Sequence, residues 1–154
     1  MKNLLLAPLL AASIAAPLAA ASAPVHGGVA VLRPWSRPAV AGTNAIGYMV
    51  LANRGRAADT LEEVKSPLAA RVEIHSSAMA GGVMSMKHED SVAVPAGGQV
   101  VFGPGAYHLM IIGVTRTLKA GDAVPATLRF ASGATVRTRF AVTSGLPPQD
   151  QAGR

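Results

Sequence analysis

The chain has 154 residues, 14 Lys and Arg against 8 Asp and Glu, a formal net charge of +6 at pH 7, and no Cys. This length suggests one domain, and the lack of Cys excludes disulfides, thiolate zinc sites, iron–sulfur clusters, thiol nucleophiles and thiolate-ligated copper sites. With 16 Gly, 11 Pro and only 14% charged residues, a helical bundle and a charge-rich disordered chain are both disfavoured, and a compact β domain is predicted.

The first 23 residues have the features of a secretory signal peptide. Lys2 precedes an apolar stretch rich in Leu and Ala, and small residues end the segment. Pro8 and Pro17 interrupt a run shorter than the ~20 apolar residues of a membrane-spanning helix. We therefore predict export to the periplasm, cleavage after Ala21 or Ala23, and a soluble mature protein with no membrane span and no Cys for lipid attachment.

The chain after the leader has the pattern of a β-sandwich or barrel. From about Val29 onward, short apolar or alternating runs are separated by Gly- and Pro-rich turns every eight to twelve positions. No long helix is predicted. The predicted strands are Val29–Leu32, Ala45–Leu51, Thr60–Val64, Ala70–His75, Val83–His88, Gln99–Phe102, Tyr107–Val114, Ala126–Phe130 and Thr135–Val142.

These patterns divide the chain into three parts. Residues 1–23 form the leader, residues 24–143 the domain, and residues 144–154 a polar tail. The tail contains Pro147-Pro148 and no apolar period, so we expect it to be mobile.

Four side chains stand out for their chemistry: His75, Met86, His108 and Met110. His108 and Met110 are two positions apart on one predicted strand, so they share a face. His75 is predicted at the end of its strand, on the polar face that it shares with Glu73. Imidazole and thioether are neutral donors that suit Cu(I) better than zinc, calcium or magnesium.

Each of these residues alone has a simpler interpretation. A Met on an alternating strand is usually core filler, and a single His is usually a surface or hydrogen-bonded residue. The spacing of the set decides in favour of a site. His75, ten residues, Met86, twenty-one residues, His108, one residue and Met110 make the motif H-x₁₀-M-x₂₁-H-x-M.

This motif and its surroundings resemble the PCuAC family of periplasmic copper chaperones over roughly residues 28–142. The matching segments are Trp35-Ser36-Arg37-Pro38, Gly47-Tyr48-Met49, Asn53, Val72-Glu73-Ile74-His75, Gly82-Val83-Met84-Ser85-Met86, Val94-Pro95-Ala96-Gly97-Gly98, Pro104-Gly105-Ala106-Tyr107-His108-Leu109-Met110 and Leu118-Lys119-Ala120-Gly121-Asp122. The resemblance implies a cupredoxin-like β-sandwich or barrel that binds one Cu(I) per chain near one end. Because a chaperone has to release its metal, we expect this site at a solvent-accessible rim.

The same resemblance implies the ligands and the partners. By position, the copper ligands would be His75, Met86, His108 and Met110. The metal would pass to the CuA centre in the copper-binding subunit of cytochrome c oxidase, directly or with a thioredoxin-like copper chaperone. Some relatives hold a second copper in a His- and Met-rich tail, but residues 144–154 contain neither residue type.

Several alternatives stay open at this stage. The same site would also serve copper buffering or resistance, and composition alone permits a plain structural β-sandwich. An enzyme is not expected, because two thioethers favour Cu(I) and no Gly-x-Ser-x-Gly elbow or glycine-rich phosphate loop is present. Nucleic acid is not an expected partner either, because the basic residues are scattered without interleaved aromatic residues.

Three residues flank the motif without belonging to it. Met79, Met84 and His88 would form a relay for incoming copper in one interpretation. In the preferred one, Met84 packs in the core and His88 is exposed beside an acidic turn.

Overall fold

The computed structural model describes residues 25–26 and 28–145. The regular secondary structure of these residues consists of strands, with no helix among them. None of the described residues forms a helix of the length and apolarity that a membrane crossing needs. The leader, with its cleavage site, and tail residues 146–154 lie outside the described residues. The strands are β1 (Val25–His26), β2 (Val29–Ser36), β3 (Ala45–Asn53), β4 (Asp59–Lys65), β5 (Ala69–Ala80), β6 (Val83–Glu89), β7 (Val92–Val94), β8 (Gln99–Phe102), β9 (Tyr107–Val114), β10 (Ala123–Phe130) and β11 (Thr135–Val142).

The strands form one curled sheet in the order β6-β5-β9-β8-β3-β2-β11-β10-β4-β7, with β1 added to β2 and β9 also paired with β3. Most neighbours are antiparallel, whereas β11 with β2 and β8 with β9 are parallel. Contacts of β4 with β5, and of β7 with β3, show that the two halves of the sheet fold over one another. The apolar faces of both halves therefore enclose one core.

Alternation along the strands explains which side chains enter the core. In β10, Val124, Leu128 and Phe130 point inward and are at most 1% exposed. In β3 nearly every position is buried, because this strand lies between β2 on one side and β8 and β9 on the other. The predicted all-β class is confirmed, and the strands Gln99–Phe102, Tyr107–Val114 and Thr135–Val142 have the predicted bounds.

Strand β2 is longer than predicted. The sequence pattern ended it at Leu32, because Arg33-Pro34 interrupts the apolar run. The strand instead continues to Ser36 through an irregularity, where the register with β3 shifts between Leu32 and Trp35 and Arg33 has φ +47°. A β-bulge accommodates the proline and the unusual backbone without ending the strand.

Two short strands were missed, β1 and β7, because two or three residues show no measurable alternation.

A buried side-chain amide, that of Asn53, holds β7 in place. Asn53 is 2% exposed, and its Nδ2 donates to Val94 O (3.1 Å) and Ala57 O (2.8 Å), while its Oδ1 accepts from Gly55 N–H (2.9 Å). Long-range hydrogen bonds of this kind leave no local signal in a sequence.

Strand β5 also differs from its prediction. It runs for 12 residues to Ala80, so His75 lies in its middle and not at its end. Gly81 and Gly82 both have positive φ, 59° and 79°, and close a two-residue turn to β6, for which positive φ at both positions is required. Pairing of β5 with β9 ends at Ser76, so residues 77–86 extend past β9 as a two-stranded segment, which we call the hairpin ribbon.

A buried carboxylate joins β4 to the turn between β10 and β11. Asp59 Oδ2 accepts a hydrogen bond from Ser132 Oγ (2.6 Å), and its Oδ1 accepts from Ser132 N–H (3.1 Å) and Thr60 N–H (2.8 Å). Burial by itself would raise the pKa of Asp59, but these hydrogen bonds lower the pKa below the usual aspartate value.

We predict that Asp59→Ala lowers the free energy of unfolding by about 2 kcal/mol at neutral pH, because hydrogen bonds to a charged group are lost. A folded-state pKa below the unfolded one stabilises the fold above the ordinary aspartate pKa of about 3.9, and this contribution is lost as the pH falls through the folded pKa. Urea unfolding at neutral and acidic pH measures both effects. The exposed Asp90→Ala variant is the control, and an Asp59→Ala deficit that is the same at both pH values would contradict the prediction.

Candidate functional site

Three imidazoles lie in a row across strands β6, β5 and β9. His75 pairs with His88 in the β5–β6 ladder and with His108 in the β5–β9 ladder, so the three side chains are on one face of the sheet. The His75 ring centroid is 5.7 Å from that of His88 and 5.8 Å from that of His108. The structure thus brings together the two histidines of the motif and places a third beside them.

His75 is held by a carboxylate on its own strand. Its Nε2 is 3.0 Å from Glu73 Oε2, and the ionised carboxylate accepts only, so we assign the proton to Nε2. The Nδ1 atom then carries a lone pair. This atom is buried and has no hydrogen-bond partner among the described residues. Buried polar atoms are rarely unpaired, and metal-binding histidines commonly donate their other N–H to a carboxylate in this way.

His108 has a similar arrangement with a backbone acceptor. Its Nδ1 is 3.3 Å from Ala106 O, which can only accept, so Nδ1 carries the proton and Nε2 carries the lone pair. His108 is 5% exposed. The sequence analysis expected the site at an accessible rim, but His108 itself is buried, because β9 is an inner strand with β5 on one side and β3 and β8 on the other.

The two methionines of the motif lie on the same face but on opposite sides of the histidine pair. Met110 pairs with Glu73 and is half-buried, whereas Met86 pairs with Ser77 on the hairpin ribbon and is 59% exposed. Glu73 and Ser77 are four residues apart, so the two methionine positions are separated by about 13 Å along β5. Both methionines are diagonal neighbours of His75 in the ladders, and they differ in that Met110 is also two positions from His108 on β9 whereas Met86 is two strands away from it.

The residues flanking the motif are also exposed. Met84, expected to pack in the core, is 57% exposed, so that prediction is wrong. It pairs with Met79, which is 67% exposed. The reason is that the hairpin ribbon projects beyond β9. The expectation of an exposed His88 is confirmed: its side chain is 53% exposed, with Nδ1 3.6 Å from Asp90 Oδ1.

Glu73 is a positioning residue that the sequence analysis did not single out. Arg71 Nε donates to its Oε1 (2.7 Å), and His75 occupies its other oxygen. The Arg71 guanidinium, and next the His75 hydrogen bond, lower the pKa of Glu73 to about 2. The alternation Arg71-x-Glu73-x-His75 was the available signal, since it places the three side chains on one face.

Within the described part of the chain, no group of three or more His, Cys, Asp or Glu side chains is arranged to hold a metal ion. The predicted ligand set differs from such a group, because two of its four donors are methionine thioethers. What the described residues present is a pair of fixed imidazoles, each with one nitrogen tied by a hydrogen bond and the other carrying a lone pair, flanked by thioethers.

The fold is that of a known class of domain. The copper-bound PCuAC domain from PmoF2 has a TM-score of 0.67 to this chain and is 26% identical, over 79% of this chain and 97% of that domain. The Cu(I)-bound DR1885 from Deinococcus radiodurans has a TM-score of 0.57 and is 27% identical, over 75% of this chain and 80% of that protein. The predicted cupredoxin-like fold is thereby confirmed.

Residues 29–142, from the start of β2 to the end of β11, match the family model named LpqE-like, and the chain belongs to the LpqE-like family. The predicted lipoprotein Lxx21020 of Leifsonia xyli subsp. xyli (strain CTCB07) is 30% identical over 109 residues. This match covers 70% of the chain, and the chain spans 65% of the length of that relative. These comparisons concern whole domains, so the assignment of the four ligand positions stays a prediction.

We predict that the Glu73 carboxyl titrates with a midpoint at about pH 2, measured by carbon-13 NMR of its side-chain carboxyl. Arg71→Ala raises this midpoint toward the usual glutamate value, because the Arg71 hydrogen bond is the largest cause of the lowered pKa. Lys65→Ala is the control, since Lys65 pairs with Glu63. A Glu73 midpoint that Arg71→Ala leaves unchanged would show that Arg71 does not hold this carboxylate.

Proposed function

We propose that the chain is an exported metallochaperone that binds one Cu(I) through His75, His108, Met110 and Met86 and transfers it to another protein without turnover. The observation that carries the proposal is the buried His75 Nδ1, which has no hydrogen-bond partner among the described residues and belongs to a ring beside that of His108. An orphaned buried nitrogen costs stability unless something binds it. A soft monovalent cation bound there removes that cost.

The donor chemistry supports Cu(I) in particular. Two neutral imidazoles and two thioethers add no charge, so the bound complex carries +1, which a partly buried site tolerates better than a divalent ion. Glu73 would act from outside the coordination sphere by fixing the orientation of His75 and keeping its proton on Nε2. The solved PCuAC domain from PmoF2 and DR1885 are described as copper-bound and Cu(I)-bound, which supports copper as the cargo.

The positions of the thioethers support transfer rather than permanent storage. His108 and Met110 are buried or half-buried and would hold the ion from the body of the domain, whereas Met86 is exposed on the hairpin ribbon. Met86 is diagonal to His75, a separation of about 7–8 Å, so its flexible side chain would reach the histidine pair from the ribbon. A ligand that arrives on a projecting segment can also leave first, and an incoming donor from an acceptor protein would then take its place.

For the acceptor we propose the CuA centre of cytochrome c oxidase, reached directly or through a thioredoxin-like copper chaperone. The resemblance of the motif to the PCuAC family supports this choice. Export to the periplasm is part of the proposal, and membership of a family named after lipoproteins supports an exported location. Copper buffering would use the same site without an acceptor, and the experiments below separate the two.

We predict that His75→Ala, Met110→Leu and Met86→Leu each weaken Cu(I) binding, measured by anaerobic competition with a Cu(I) chelator. Loss of a ligand should exceed the ~10–100-fold loss that outer-shell changes cause. Met49→Leu is the matched control, because Met49 is 1% exposed in the core and its replacement removes a thioether away from the site. Equal affinity in all variants would show that the site has been chosen wrongly.

Delivery has its own test in cells and in solution. We predict that the Cu(I)-loaded protein passes its metal to an isolated oxidase CuA domain. The transferred copper is measured by the visible absorption of the CuA centre after an added one-electron oxidant converts the reduced product to its mixed-valence form. Deletion should lower oxidase activity at limiting copper, and added copper should restore it. If the deletion strain instead keeps normal oxidase activity at limiting copper and becomes sensitive to high copper, buffering is favoured over delivery.

A further inference from the structure

The hairpin ribbon carries an unusual set of exposed side chains. Met79, Met84 and Met86 are 67%, 57% and 59% exposed, although a methionine on a strand normally fills a core. They are three of the six methionines of the chain. Apolar side chains that stay in water do not stabilise the fold. The exposure of these methionines therefore points to a role for their thioether sulfurs.

The ladder places the three sulfurs on one face. Met79 pairs with Met84, Ser77 pairs with Met86, and the register between β5 and β6 is continuous from Ile74 to Ala80. Directly opposite side chains have Cβ atoms about 5 Å apart, and diagonal neighbours about 7–8 Å. Methionine side chains have three rotatable bonds, so three thioethers at these separations can converge on one ion between them.

The chemistry of the ribbon is restricted to soft donors. Residues 77–86 contain no Asp, Glu, Lys, Arg, His or Cys, so thioethers are the metal-binding groups that this segment offers. Thioethers without imidazole or carboxylate bind Cu(I) and discriminate against zinc, calcium and magnesium. A neutral trio would bind more weakly than a set that includes two imidazoles, and a weak exposed site is suited to collecting an ion rather than keeping it.

We propose that Met79, Met84 and Met86 form a second, Cu(I)-collecting site that shares Met86 with the principal site, and that copper moves through Met86 to the His75–His108 pair. This inference rests on the proposed function, because it supplies the ion to that site. Met86 lies between the two sets, two positions from Met84 on one side and diagonal to His75 on the other. The transfer is an exchange of ligands. Copper stays Cu(I), bonds to Met79 and Met84 break as bonds to the imidazoles form, and no electron or proton is required.

The decisive variant is Met79→Leu combined with Met84→Leu, which keeps the apolar surface and removes two sulfurs. We expect this variant to load Cu(I) from a chelator severalfold more slowly than the parent protein, measured by anaerobic stopped flow. The final affinity of the principal site should stay within twofold. Met49→Leu is the control for a lost thioether in the core, and Val83→Leu is the control for a change of exposed apolar surface on the same ribbon.

A second measurement isolates the collecting site. In a His75→Ala/His108→Ala background, substoichiometric Cu(I) should shift the methyl carbon-13 NMR signals of Met79, Met84 and Met86 and leave that of Met49 unchanged. A loading rate unaltered by the double leucine variant, or methyl signals of the ribbon that do not respond, would overturn the inference. Absence of tight Cu(I) binding in the parent protein, with the ribbon methyl signals still shifting, would instead remove the proposed function and leave the collecting site standing.

Discussion

The antiparallel pairing of β5 with β6 on one side and β9 on the other is the interaction on which the rest of the site depends. Backbone hydrogen bonds fix the level of each residue against its neighbours, so His88, His75 and His108 align in one row. Because alternate side chains point to opposite faces, a shift of one residue in either ladder would send one histidine to the core side. Core residues on the other face, such as Ile74 and Leu109, oppose such a shift because they would have to leave the apolar interior.

The same pairing divides the site into a rigid part and a projecting part. His75 and His108 lie where three strands are paired, and each ring is held by a hydrogen bond to Glu73 or to Ala106 O. Past Ser77, whose N–H donates to Ala106 O (3.1 Å), β5 pairs with β6 alone, and the thioethers of the ribbon are carried by two strands only. A two-stranded segment is less stable than a sheet interior, so it can change position at lower cost. The imidazole pair is therefore held in the sheet, whereas Met86 is carried by the less constrained hairpin ribbon.

How far the sequence predicted this arrangement depends on the range of the interaction. Strands with regular alternation between clear turns, such as Tyr107–Val114, were predicted with the observed bounds, because their signal is local. The continuation of β2 past Pro34 was missed because it depends on a β-bulge. The short strand β7 was missed because a hydrogen bond from the distant Asn53 amide helps to hold it. Met84 was placed in the core since alternation shows which residues share a face but not whether anything covers that face.

The sequence by itself determined the all-β class, the soft-donor motif and the shared face of His108 with Met110, since composition, spacing and the two-residue period of a strand are properties of neighbouring positions. The tertiary structure alone decided which strands are neighbours. That choice places His75 beside His108 across a ladder, buries His108, leaves the His75 Nδ1 atom unpaired among the described residues and exposes the ribbon methionines. Contacts between residues far apart in the chain depend on how the whole sheet curls around its core, and no local pattern records that.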